Sequence, residues 1–177
     1  MPSPIIERLY DENKLLITKL LADGEISLVA TIDDILRKTL LMSAASYFEH
    51  TICTAILEYV TEIADNDDAV ISLVKTKAIE RQYHTYFNWD VSNANSFFSH
   101  FGEKYKLYAK EIVEKDPDLR ESIRAFLELG SLRNQLVHQN YAIFPLEKTA
   151  DEIYRLYIAA FRFVDFFPES LRNFPRK

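Results

Sequence analysis

Between residues 26 and 64 the chain contains neither glycine nor proline, and no proline falls anywhere between Ile5 and Asp116. A sandwich or barrel needs a turn signal roughly every 8–12 residues, so an all-β architecture is excluded. Across 26–64, Ile32, Ile35, Leu36, Leu40, Ala44, Phe48, Ile52, Ile56, Tyr59, Val60 and Ile63 keep the helical period, which predicts one long helix, broken at most once. The three glycines, Gly24, Gly102 and Gly130, are scattered. That leaves no glycine-rich loop to wrap phosphates in a Rossmann or P-loop site.

The same reasoning divides the rest. Ile6, Leu9, Leu16 and Leu20, with Ile17 and Leu21 beside them, predict a first helix closed by Gly24. Asp65–Asp68 supplies a turn and an N-cap for a third helix through Ala69–Gln82. Tyr83–Asn95 is aromatic and polar without period, so it reads as a packed loop. Ser92 or Asn93 then caps a short helix carrying Phe97, Phe98 and Phe101 and closed by Gly102. Helices follow over Glu103–Lys115, from Asp118 to about Asn140 after Asp116-Pro117, and over Glu147–Phe167, where Pro168 is expected to end the last one. Arg172, Arg176 and Lys177 then fall in a frayed tail. The expectation is one all-α domain over residues 1–177, an up-and-down bundle of about five to seven helices, with 1–5 and 169–177 as flexible ends.

Net charge of −6 and a pI near 5.3 argue against broad electrostatic coating of nucleic acid, though not against one local phosphate site. The single Cys53 excludes a disulfide framework and a cysteine zinc site. No segment resembles a signal peptide and no apolar run approaches about 20 residues, so a soluble cytoplasmic protein is expected, with no membrane and no cofactor. Asp65–Asp68 is not a calcium loop: glycine is missing from its sixth position, and Thr76 stands where the bidentate Glu belongs. His50, His84 and His100 have no partners at metal-ligand spacing and read as structural.

The segment Gly130-Ser131-Leu132-Arg133-Asn134-Gln135-Leu136-Val137-His138-Gln139-Asn140-Tyr141 carries chemistry. On a helix Asn134, His138 and Tyr141 share one face, continued by Leu127 and Ile123, while Phe126, Leu129, Leu132 and Leu136 form an apolar stripe for the core. The polar stripe is expected mostly outside that core. Arg133 lies more than a quarter turn off it, within reach of the histidine through a long side chain. A guanidinium matches phosphate oxygens, an imidazole exchanges protons near neutral pH, and an amide donates to an oxyanion or fixes the imidazole. These are adequate parts for cleaving an RNA phosphodiester by its own 2′-hydroxyl. One histidine supplies a base or an acid, not both, and a symmetric dimer would bring two sets together.

Arg133-Asn134-x3-His138, late in an all-α chain, resembles the signature of the HEPN superfamily (Arg-x4–6-His, often with Asn after the Arg). Leu132–His138 is close to the form in the prokaryotic RiboL-PSP-associated and related groups. Ser46-Tyr47-Phe48-Glu49 is similar to the family's earlier helix with an acidic residue, and Asn88-Trp89 through Phe101-Gly102 to its variable middle. The resemblance implies a helical bundle, a homodimer with the motifs at the interface, and metal-independent endoribonuclease activity on single-stranded RNA or tRNA. It also implies a toxin–antitoxin or phage-defence setting with an antitoxin or defence partner. Arg133, Asn134 and His138 would be catalytic, with Glu49 and Tyr141 in support. Two departures stand out. Gln139 replaces a common glycine, and Tyr141 follows the histidine at three positions where some toxins have a tyrosine at two.

Plainer readings stand beside these. Arg133 pairs with Glu128 or Glu49, Asn134 is a helix amide bonded to backbone, Glu49 is solvated, and Tyr141 is a packed aromatic with its hydroxyl in water. The abundant Tyr and Phe suit packing better than base stacking. On function, the alternatives are a non-catalytic helical module for dimerisation or a partner protein, and a regulator that binds a nucleotide phosphate at Arg133 and His138 without turnover.

Overall fold

The computed structural model describes residues 2–175. Among them it contains eight α-helices and no strand: α1 (Pro4–Ala22), α2 (Ile26–Ile63), α3 (Asp68–Val74), α4 (Tyr83–Tyr86), α5 (Asn95–Ser99), α6 (Glu103–Lys115), α7 (Pro117–His138) and α8 (Ala150–Asn173). A π-helical turn, Lys75–Ile79, continues α3. α2, α7 and α8 pack on one another as the trunk, α1 lies along α2, and α6 rests on α5 and α7. The all-α bundle is as expected.

Local chemistry explains most boundaries. Gly24 takes φ +76° while the amides of Gly24 and Glu25 reach back to the carbonyls of Leu21 and Leu20, a Schellman ending for α1. Asp67 and Asp116 cap α3 and α7 by accepting the amides of Val70 and Leu119. α2 runs unbroken. By length and composition it would pass for a membrane span, yet Leu40, Leu41, Ala44, Phe48 and Ile52 are core residues.

Several expectations need correction. α8 begins at Ala150, not Glu147, because Thr149 and Glu152 form a reciprocal capping box there. Pro168 does not end it. A proline inside a helix costs about 3 kcal/mol, but the turn beyond it is buried: Leu171 enters the core, and the Ser170 hydroxyl meets the Tyr105 hydroxyl at 2.7 Å. Residues 169–173 are therefore helix, not a loose end, and Arg172 forms ion pairs with Glu58 and Glu62. Ile6 and the Ser3 amide, which donates to the Tyr157 hydroxyl at 2.7 Å, fasten the start of the chain. The expected tail residues Arg176 and Lys177 lie outside the described residues. Finally, 69–82 is not one α-helix. It passes into the π turn, closed by the Glu80 amide on the Lys75 carbonyl at 2.8 Å, and then into a left-handed Arg81 at φ +61°. α4 occupies part of the expected loop.

The trunk is aromatic. Phe48 of α2 packs on Phe126 of α7 with ring centroids 5.6 Å apart, and Phe126 packs on Phe163 of α8 at 4.9 Å. Phe97 of α5 inserts against Phe167 at 4.7 Å.

Candidate functional site

In its earlier turns α7 buries Ser122, Ile123, Ala125, Phe126, Leu127 and Leu129, while Arg120, Glu121, Arg124 and Glu128 stay exposed. The face that carries Asn134 and His138 therefore leaves the core only at the last two turns, and its expected extension through Leu127 and Ile123 is core. Leu136 stays buried, Leu132, Arg133 and Asn134 are half-buried, and His138, the final residue of the helix, is exposed.

The loop expected over 83–95 supplies a wall. Trp89 donates its indole N–H to the His84 carbonyl at 3.0 Å and lays its ring on Gly130. A Cβ at Gly130 would stand 1.9 Å from a ring carbon, so only glycine admits the indole there. The ring closes the inner side of the turn that leads into Arg133.

Arg133 donates from Nη1 to the Asn134 amide oxygen at 3.0 Å and from Nη2 to Glu49 Oε2 at 3.3 Å. The first bond turns the guanidinium toward the face shared by Asn134 and His138 and occupies the Asn134 amide oxygen. The second ties α7 to α2 through a half-exposed ion pair. Glu128, the other candidate partner, pairs with Lys148 at 2.6 Å instead. Among the described residues the other guanidinium donors are uncommitted, and His138 makes no hydrogen bond or ion pair. Arg133, Asn134 and Glu49 thus form one bonded cluster, with His138 one turn beyond Asn134. Tyr141 stands apart from it.

Tyr83 lies beside this cluster. Burial pushes its phenol well above the usual value, Glu49 and Cys53 push the same way, and Arg133 opposes them. Burial, with Glu49 adding to it, raises the Cys53 thiol to about 11, which keeps it an inert thiol at neutral pH.

Sequence reasoning missed the latch that holds the chain after His138. Lys38 of α2 is 2% exposed, yet it is charged. Its Nζ donates to the Tyr141 carbonyl at 3.0 Å, pairs with Asp34 at 2.7 Å and sits 5.4 Å from the centre of the Tyr141 ring. Arg37 donates from Nη1 to the carbonyls of Leu146 and Lys148 at 2.5 and 3.1 Å, with Asp33 and Asp34 beside it. The signal was two acid–base pairs at i,i+4 (Asp33–Arg37 and Asp34–Lys38), placed where α2 turns apolar. Tyr141 itself is 46% exposed.

A family model described as RiboL-PSP-HEPN matches residues 7–173. Comparison with curated proteins and with solved structures gives no match. The family match takes in every helix that builds the site, from α1 to the end of α8. The chain belongs to the RiboL-PSP-HEPN family.

Proposed function

We propose that the protein is a metal-independent endoribonuclease that cleaves single-stranded RNA, such as a tRNA loop, by attack of the 2′-hydroxyl on the neighbouring phosphorus. The observation that carries this reading is the bonded Arg133–Asn134–Glu49 cluster, one helical turn before the exposed His138. His138 takes the 2′-hydroxyl proton as O2′ bonds to phosphorus and the P–O5′ bond breaks. O5′ leaves with a proton, and the products are a 2′,3′-cyclic phosphate and a 5′-hydroxyl. Arg133 and Asn134 hold the phosphoryl oxygens as charge gathers on them. Glu49 keeps the guanidinium in place, and Tyr141, three residues beyond His138 and held by Lys38, is the further supporting residue. A homodimer that pairs two motifs across its interface would supply a second histidine as the acid. A toxin–antitoxin or phage-defence role, with an antitoxin or defence partner, fits such a self-contained nuclease.

The test is incubation of wild type and His138→Ala with total RNA in EDTA, followed by end-group analysis. Cleavage by wild type alone, leaving cyclic phosphate, is the expected result. The second reading is a non-catalytic module, favoured by the Arg133–Glu49 ion pair, which joins α2 to α7 as a structural bridge does. Intact RNA with both proteins, including after induction in cells, would move that reading ahead.

A further inference from the structure

One stretch of the chain is built unlike the rest. From Asp65 to Arg81 no residue is buried. Only Ile71, Val74 and Ile79 are half-covered, while Val70 and Leu73 face water at 45% and 62% exposure. The stretch comprises α3 and the π turn, so most of its backbone bonds are internal to it. Among the described residues no side chain of 67–80 forms an ion pair. Between its two ends one hydrogen bond fastens it to the neighbouring helices: the Tyr86 hydroxyl of α4 donates to the Ala78 carbonyl at 2.5 Å.

Its two ends are joints of one kind. Asp65, Asn66 and Arg81, at φ +49°, +61° and +61°, are the non-glycine residues that take left-handed backbone among the described residues. That conformation strains a side chain, most of all at Arg81, because Asp and Asn tolerate it better. Hinges are a few such residues at the ends of elements, where a large change in φ and ψ can be absorbed.

The underside is loosely held as well. A cavity of about 400 Å³ lies beneath the segment. Val74 and Ala78 line it from the segment, and Ile56, Val60, Phe97 and Phe101 line it from α2 and from the α5 region. Side chains that face a void draw no dispersion from it. The segment is thus closed over an apolar surface that it does not fill.

We propose that residues 67–80 form a flap, which swings on 65–66 and 81 while the trunk stays folded, with the Tyr86–Ala78 bond as its latch. Segments with few buried apolar contacts and solvent-exposed backbone bonds open at a fraction of the free energy of global unfolding. Opening breaks the latch, relieves the left-handed Arg81 and presents the Val60–Phe101 side of the cavity. Closing covers that side again. The device is a property of the fold alone, independent of the nuclease reading.

The test is hydrogen exchange of the full-length protein without RNA, followed peptide by peptide in a mass spectrometer. Peptides from 67–80 exchange at least about tenfold faster than those from 119–129 of α7, and at least about tenfold slower than an unstructured chain of the same sequence. Low concentrations of urea accelerate 119–129 and leave 67–80 nearly unchanged, because opening the flap exposes little surface. Tyr86→Phe, which keeps the ring and removes the latch, speeds exchange of 67–80 about fivefold. Val74→Leu adds a methylene on the cavity side and slows it about threefold. Exchange of 67–80 with the rate and urea dependence of 119–129 overturns the proposal. So does exchange at the rate of an unstructured chain, or a rate that Tyr86→Phe leaves unchanged.

Discussion

α2 passes through two different environments without a break. From Lys38 to Ile56 it is the inner helix of the trunk, with Phe48 held among Phe126, Tyr157 and Phe161 at centroid distances of 5.3–5.6 Å. From Ile26 to Arg37 it lies against α1, and only one side is covered: Val29, Ile32 and Leu36 are half-buried while Ile26, Leu28 and Ile35 are exposed, Ile26 at 73%. α1 mirrors this, since only Ile6 and Asn13 are buried along it while Leu15, Leu16 and Leu21 are exposed. What anchors α1 to the trunk is concentrated near its start: the Tyr10 ring stacks on Tyr154 at 4.0 Å, and the Tyr10 hydroxyl and Lys14 both reach Asp151. Helical period and hydrophobicity are alike in the two halves of α2. What differs is whether a third element covers them, and stability and site geometry follow the covered half.

Urea denaturation across a substitution series tests that contrast. Phe48→Ala removes an aromatic ring from the covered half and costs about 3–5 kcal/mol; a loss under 1 kcal/mol would mean the trunk is loosely packed. Gly130→Ala displaces the Trp89 indole from its seat and costs about 3 kcal/mol, read in the same melts together with a red-shifted tryptophan emission. Lys38→Ala, at the boundary between the two environments, strands the Tyr141 carbonyl and Asp34 and costs about 2 kcal/mol. It should also speed hydrogen exchange in 139–149 more than elsewhere.

Acid should loosen the attachment of α1 before the trunk. Hydrogen bonds from Tyr10 and Lys14 hold the Asp151 carboxyl below its ordinary value. A depressed carboxyl contributes stability that is fully present above the unfolded value, near 4, and is lost as pH falls through the folded one. Exchange protection of α1 should therefore drop below about pH 4, and Asp151→Asn should remove most of that pH dependence. The smallest effect belongs to the uncovered half: Leu28→Ser should change stability by less than about 0.5 kcal/mol. A larger loss would show that the first turns of α2 are covered in solution.

The sequence disclosed what local chemistry determines. α6 spans the Glu103–Lys115 read from its periodicity, and the Asp116-Pro117 start of α7 and the Gly24 end of α1 follow their caps. It concealed what depends on distant contacts. Pro168 is a stop signal on local grounds, overridden by the burial of Leu171 and the Ser170–Tyr105 hydroxyl pair. The π turn leaves no mark in composition, because a change of hydrogen-bond partner at Lys75 alters no apolar spacing. At the site the residue types and their helix were legible, and so was Glu49 as one of two partners for Arg133. The swing of the guanidinium onto Asn134 and the latch by Lys38 and Arg37 were not, because each depends on a neighbour rotamer or on residues a hundred positions away.

The indole on Gly130 makes the molecule its own optical probe. Trp89 is the chain's one tryptophan, so every photon excited at the red edge of protein absorption reports from one turn before Arg133. Occupation of the motif or its collapse on mutation can each be followed in unlabelled protein, in real time, at micromolar concentration.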